Sequence, residues 1–275
     1  MPPLQPPLNS PADAEARRLA AAYATRAPAA AGSAADIAHR CMLAERERRV
    51  LALLARERVR LETSRVLEVG CGSGTWLRDL VRWGARPESV FGVEILADRV
   101  AEARRSVAPG VTVERADIAQ LPFANESFDI VLQSTVFTSI LEDERRRRSA
   151  AEMRRVLRPS GVILWYDFHV DNPRNPSVRK VTVRELATLF PGCEIHSESI
   201  TLAPPIARIL APLSRQLYDI TASIPQLRSH TLAAIRPRRV RAPLSSRSAR
   251  RRSTRRTSPR SSTPCDPVGS RPGRA

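Results

Sequence analysis

The sequence predicts an α/β fold in which a parallel sheet carries helices on both faces, and three observations support that reading. Short apolar segments alternate with helical stretches from residue 65 to residue 167. The first of these segments runs straight into a glycine turn, Gly70-Cys71-Gly72-Ser73-Gly74. Acidic residues then stand at the ends of the next two, Glu94 and Asp117, where ligands of open α/β sheets bind.

The elements follow in order. Residues 1–32 are rich in Pro and Ala and read as a segment mostly without fixed structure, with a short helix around 13–23. A long amphipathic helix covers 36–59, its apolar Leu43, Val50, Leu51 and Leu54 set against a dense Arg/Glu face. Strands are expected at 65–69, 90–94, 111–114, 128–133 and 162–167, with helices at 75–83, 97–107 and 142–157 between them. Apolar runs this short, separated by helices, suit strands buried on both faces. After Asp167 the two prolines and two asparagines of residues 171–176 require a loop. A short helix at 183–189 ends at Pro191-Gly192, and strands at 194–202 and 231–235 flank a helical excursion over 204–224. The folded domain is thus expected at 33–236 and an Arg/Ser/Pro-rich tail without a core at 237–275.

The formal charge of +17 is concentrated at one end, since residues 236–275 hold thirteen arginines and one aspartate. The rest is mildly basic, and Lys180 is its single lysine. This arginine bias, together with abundant Ala and Pro, is better explained by composition than by phosphate contacts. Nucleic acid would be met, if at all, through the tail. Four scattered cysteines, Cys41, Cys71, Cys193 and Cys265, match neither a disulfide frame nor a zinc site. No leader-like or membrane-spanning run is visible, so a cytoplasmic protein with no membrane partner and no metal is expected.

A strand, a glycine turn and a helix opening at Thr75 bring backbone close to a ligand and offer free N–H groups. Glu94 can accept from both hydroxyls of a ribose. Asp117 can take an exocyclic amine while the Ile118 N–H meets a ring nitrogen. These features specify a nucleoside. A dinucleotide would call for Gly-x-Gly-x-x-Gly, but here the third glycine, Gly74, comes one residue early.

Taken together, these segments resemble the class I S-adenosylmethionine-dependent methyltransferases, in particular the type 11 family. Residues 68–74 resemble its first motif, Glu94 its ribose-binding acid, and Ala116-Asp117-Ile118 its adenine-binding segment. Leu121-Pro122-Phe123 with Ser127-Phe128-Asp129, and residues 152–161 before the fifth strand, complete the ordered set, which covers about 36–236. Ser160-Gly161 stands where the family commonly has Gly-Gly. The resemblance implies a doubly wound, seven-stranded Rossmann-like sheet whose last strand runs antiparallel, with S-adenosylmethionine as cofactor. It implies a cofactor-binding set of Glu68, Gly70, Cys71, Gly72, Gly74, Glu94, Ile95, Asp117, Ile118 and Gln133. Glu68 would fix the turn or the donor's amino group.

The acceptor is expected to be a small molecule that approaches beyond the fourth and fifth strands, against Thr135, Phe137 and Tyr166. An alcohol or phenol acceptor would require a base, for which His169 and Asp167 are the candidates. Trp76, Trp83 and Trp165 read as packing, and Asp129 as a local hydrogen-bonding group. Arg145–Arg148 read as a solvated face of i, i+4 pairs with Glu142, Asp143 and Glu144. Two other functions fit the same residues. One is an RNA or protein methyltransferase anchored by its tail, and the other a nucleoside-binding regulatory protein without turnover. The acceptor atom and the oligomeric state are not encoded in these motifs.

Overall fold

The computed structural model describes residues 11–24, 30–173 and 175–238. Seven strands form one sheet: β1 (Val66–Val69), β2 (Val90–Glu94), β3 (Thr112–Arg115), β4 (Phe128–Ser134), β5 (Leu157–Phe168), β6 (Cys193–Leu202) and β7 (Arg228–Pro237). Their order is β3-β2-β1-β4-β5-β7-β6. The pairs from β3 through to β5 are parallel, while β7 runs antiparallel to both β5 and β6. Strand order reverses between β1 and β4, which places the ligand crevice beyond the ends of β1, β2 and β4.

Side chains alternate along each strand, so successive residues feed two cores. Val66, Ile130, Leu132, Val162 and Leu164 face one side, under α2 (Ala34–Arg56), α3 (Thr75–Arg82) and α4 (Ala97–Ser106). Leu67, Val69, Val131, Ile163 and Trp165 face the other, under α5 (Asp143–Val156) and α6 (Val183–Leu189). A third, smaller core joins Ala38 and Cys41 of α2 to α7 (Pro204–Leu213) and α8 (Arg215–Ala222). Buried Glu45 pins it, because its carboxylate accepts from the backbone N–H of Thr201 at 2.8 Å and from the Tyr218 hydroxyl at 2.8 Å. The remaining helix, α1 (Pro11–Ala24), coincides with the short helix expected at 13–23.

The expected doubly wound sheet with one antiparallel strand is the observed architecture. The differences lie at the ends of elements. β7 starts at Arg228 rather than Thr231, because both of its edges are paired and Ser229 and His230 are buried despite being polar. The 204–224 excursion is two helices, broken at Ser214, whose extended backbone and side-chain cap start α8. Asp129 behaves as the local group expected, accepting from the Arg65 N–H at 2.8 Å and from Arg158 at 2.7 Å. The stretch from residue 239, with Cys265, lies outside the described residues, as does Arg174, so the expectation for the tail falls there. No described helix is long and apolar enough to cross a membrane.

Candidate functional site

A cavity of about 290 Å³ lies at the ends of β1, β2 and β4. The glycine turn forms its floor. Gly70 (φ 69°), Gly72 (φ 54°) and Gly74 (φ 84°) all take left-handed backbone, which glycine adopts without strain. A Cβ on Gly70 would drive into the Val136 side chain, so the turn fits against the β4 loop only as glycine. The turn is braced by Glu94. One oxygen accepts from the Gly72 N–H at 3.0 Å, and the other from the N–H groups of Ile95 and Leu96 at 2.9 and 3.0 Å. A carboxylate offers about four lone-pair positions, so one remains for a ligand on this buried side chain.

Asp117 uses one oxygen for two partners, the Ala119 N–H at 2.9 Å and Arg145 at 2.7 Å. No hydrogen bond reaches its other oxygen among the described residues. Glu68, at the end of β1, is buried, and burial pushes its carboxyl well above the usual carboxylate range. Cys71 is also buried, which raises its thiol and makes it a packing group beneath the turn.

Six buried side-chain polar atoms among the described residues have no hydrogen-bond partner, and four of them belong to residues lining this cavity. They are Glu68 Oε2, Arg46 Nε, Trp76 Nε1 and Arg145 Nε. Unpaired buried polar atoms cost roughly 1–3 kcal/mol each, so their concentration in one cavity marks a place built for a polar ligand. Both signs of charge occur there. An acid at the glycine turn and a guanidinium from α2 suit the ammonium and carboxylate of an amino acid. Glu94 and Asp117 suit a nucleoside. S-adenosylmethionine carries both parts, so these residues fit it.

Of the expected cofactor set, Glu68, Gly70, Cys71, Gly72, Glu94, Ile95, Asp117 and Ile118 line the cavity, and so does Thr135. Gly74 does not; it caps α3. Gln133 is buried behind the β4 loop, where its carbonyl oxygen accepts from the Val136 N–H at 3.1 Å, so it shapes the loop. Phe137 packs on Trp165 with ring centroids 4.6 Å apart. Tyr166 is buried with its hydroxyl 3.0 Å from the Thr201 hydroxyl and its ring stacked on His230. Neither faces the cavity.

The candidate base pair is likewise displaced. Asp167 is fully buried and accepts from the backbone N–H groups of Thr138 at 3.2 Å and Phe168 at 2.9 Å; burial pushes it up to about 6. His169 lies just past the end of β5, half-buried, with Nδ1 3.3 Å from the Thr231 hydroxyl. Both lie outside the cavity.

What sequence reasoning missed comes from helices. The cavity is covered by α1, through Glu15, Leu19 and Tyr23, and by α2, through His39, Leu43 and Arg46. Arg46 also bonds Asp79 at 3.2 Å and lies 4.2 Å from the centroid of the Trp76 ring. Trp76 therefore lines the site as well as packing, whereas Trp83 bonds Glu47 and Trp165 is core. The expected solvated arginine face holds only in part. Glu144–Arg148 forms at 3.1 Å, but Arg145 turns to Asp117 and Arg146 is fully buried against Glu185.

Glycine turn, paired acids and strand order together define a nucleoside-binding domain of the Rossmann-like type. Residues 66–161 match the family model described as a methyltransferase domain. An uncharacterized protein of Haemophilus influenzae is 34% identical over 112 residues, which covers 38% of this chain and 43% of that one. A phthiotriol/phenolphthiotriol dimycocerosates methyltransferase of Mycobacterium ulcerans is 36% identical over 115 residues, covering 42% and 41%. The chain thus spans less than half the length of these curated relatives. A solved S-adenosylmethionine-dependent methyltransferase of Thermotoga maritima shares the fold at a TM-score of 0.50 and 18% identity, covering 72% of this chain and 91% of that one.

Proposed function

We propose that this protein transfers a methyl group from S-adenosylmethionine to a small-molecule acceptor. The observation that carries the reading is the pairing of Glu68 Oε2 and Arg46 Nε, both buried and without hydrogen-bond partners, in the cavity that also holds Glu94 and Asp117. That set suits a zwitterion joined to a nucleoside.

In this reading Glu68 receives the ammonium, Arg46 the carboxylate, Glu94 one ribose hydroxyl and Asp117 the adenine amine. When bound, the cofactor supplies an electrophilic methyl on a sulfonium. The chain's own residues bind, orient and exclude water, and alignment of this kind is worth roughly 7–11 kcal/mol. Leu19, Leu43 and Ile140 make part of the wall apolar, in keeping with a small organic acceptor. The mycobacterial relative named as a phthiotriol/phenolphthiotriol dimycocerosates methyltransferase supports an organic acceptor. As the new bond to the methyl carbon forms, the acceptor's heteroatom must lose its proton. His39 is the imidazole among the described cavity residues and is the base in this proposal, in place of Asp167 and His169.

Calorimetric titration of S-adenosylhomocysteine and of NAD, with Glu94→Ala and Asp117→Ala alongside, tests the cofactor side. Binding of the former, weakened in both folded variants, is expected; binding of NAD instead defeats the reading. An acceptor screen that follows S-adenosylhomocysteine release, repeated with His39→Ala, tests turnover.

A further inference from the structure

On the side of α2 facing away from the cavity, α7 and α8 expose aliphatic side chains in a helical pattern. Ile209 and Leu213, four apart on α7, are 65% and 71% exposed, and Leu217 and Ile220, three apart on α8, are 47% and 65% exposed. Ile224, just beyond α8, is 42% exposed. Beneath them the helices are anchored by Ala207, Ala211, Tyr218 and Ala222, so the exposed side is a rigid surface of the fold. Contiguous aliphatic patches of this kind mark contact sites on water-soluble domains.

The charges around the patch say what covers it. Arg208 is exposed beside Ile209 and has no ion pair among the described residues. Arg215 and Arg48 share one carboxylate, Asp219, at 2.9 and 3.5 Å, which leaves the cluster net positive. A second copy meeting this face about a two-fold axis would set these arginines against one another. The sequence from Arg239 onward is no charge complement to the patch. It carries eleven arginines against one aspartate and few aliphatic residues, so it shares the sign of the patch. Exposed aliphatics flanked by cations, with a polybasic segment on the same chain, match the two signals that hold a protein on an anionic bilayer.

We propose that the α7–α8 face docks onto an anionic lipid bilayer, lying on the surface rather than crossing it. The sequence alone had pointed to no membrane partner, because spacing shows that a helix has an apolar side but not that the side is left uncovered. The patch and the cavity share one helix: Ala38 and Cys41 of α2 pack toward α7 and α8, while His39, Leu43 and Arg46 line the site. This inference stands apart from the transfer reaction, because vesicle binding and cofactor binding are read separately.

The test uses the full chain with vesicles of phosphatidylcholine alone or mixed equally with phosphatidylglycerol, in a co-sedimentation assay at 0.1 and 0.5 M NaCl. The comparison is with the triple variant Ile209→Ser, Leu213→Ser, Ile220→Ser, which leaves every charge in place. Wild type should bind the anionic vesicles and retain part of that binding at high salt. The variant should bind at least tenfold more weakly at high salt while keeping its S-adenosylhomocysteine affinity. Equal binding by the two would assign all lipid attraction to the arginine-rich stretch and overturn the proposal. Absence of wild-type binding would overturn it too. So would a dimer in sedimentation velocity that the same substitutions dissociate.

Discussion

Two regions of this domain handle buried polar groups in opposite ways. In the half built on β1, β2 and the glycine turn, residues that line the cavity keep buried polar atoms without partners: Glu68, Arg46 and Trp76. In the half built on β5, β7 and α5, the buried charged groups are tied to the protein itself, and the atoms left unpartnered there, Ser149 Oγ and Trp165 Nε1, belong to neutral side chains. Asp167 holds two backbone N–H groups, and Arg146 binds Glu185 at 2.5 Å and the Ile140 carbonyl at 2.8 Å. The difference separates binding from scaffolding. A polar group whose bonds are all made inside the fold stabilises the fold, while one left unsatisfied is available to a ligand at some cost in stability.

The largest effect expected from that contrast is at Arg146. Removing it leaves Glu185 with only the longer contact to Arg179, at 3.5 Å, and strands three backbone carbonyls, those of Ile140, Arg179 and Lys180. Arg146→Ala should lower stability by about 3–5 kcal/mol in urea unfolding, the usual result of breaking a buried pair from one side. Affinity for S-adenosylhomocysteine should be unchanged under conditions where the variant is folded. Loss of affinity with intact stability would reverse the assignment of the two regions.

Asp167 sharpens the comparison through pH. Its carboxyl is pushed from 3.8 up to about 6 by burial, so the folded chain binds more protons than the unfolded chain between those values. The stability linked to that proton is fully present below about pH 4 and is lost as pH rises to about 6, for roughly 3 kcal/mol in all. Neighbouring His230 works the other way. Burial pushes it down to about 3, so its contribution is lost as pH falls from about 6.5. In Asp167→Asn the first linkage disappears and the second stays. Relative to wild type, the variant should gain stability steadily from pH 4 to pH 7. A stability difference independent of pH would mean that Asp167 titrates normally.

At Glu68 the expected signs are mixed, which makes it diagnostic of a binding group. Glu68→Gln removes a buried carboxyl that lacks a full set of partners, so the ligand-free chain should melt a few degrees higher, about 1 kcal/mol. Affinity for S-adenosylhomocysteine should fall tenfold or more, as expected on losing a charged hydrogen bond of roughly 1.5–3 kcal/mol. Burial pushes the free carboxyl well above the usual carboxylate range and an ammonium partner pulls it back down, so any proton it holds should leave on wild-type binding, seen as a binding enthalpy that depends on the buffer. The variant should lack that dependence. A destabilised variant with full affinity would make Glu68 part of the scaffold.

The two regions also differ in how far the sequence reveals them. Gly70, Gly72, Glu94 and Asp117 are legible because each sits at or just beyond the end of a strand, where position along the chain fixes position in the crevice. Asp167 and Tyr166 occupy equivalent ends on β5, yet they are buried, because β7 pairs with that strand and the β4 loop folds over it. The helical contributions could not be read at all. Arg46 lies on a face of α2 crowded with Arg and Glu, and only the rotation of the packed helix shows that it meets the cavity while Arg40 and Arg49 pair elsewhere.

The Arg145–Arg148 run isolates that limit within four residues. Their spacing is helical, so i, i+4 arithmetic applies equally to all of them, but packing sends each to a different environment. Arg145 reaches Asp117 in the cavity, Arg146 is enclosed, and Arg147 and Arg148 meet Glu144 in solvent at 3.0 and 3.1 Å. Exposed pairs of this kind are worth about 0–1 kcal/mol and are screened by salt. The double variant Arg147→Ala, Arg148→Ala should therefore cost about 0.5 kcal/mol or less in urea unfolding, with cofactor affinity unchanged and the small loss vanishing at 1 M salt. A cost approaching that of Arg146→Ala would mean that the outer arginines belong to the buried network, and the division between solvent and scaffold on α5 would have to be redrawn.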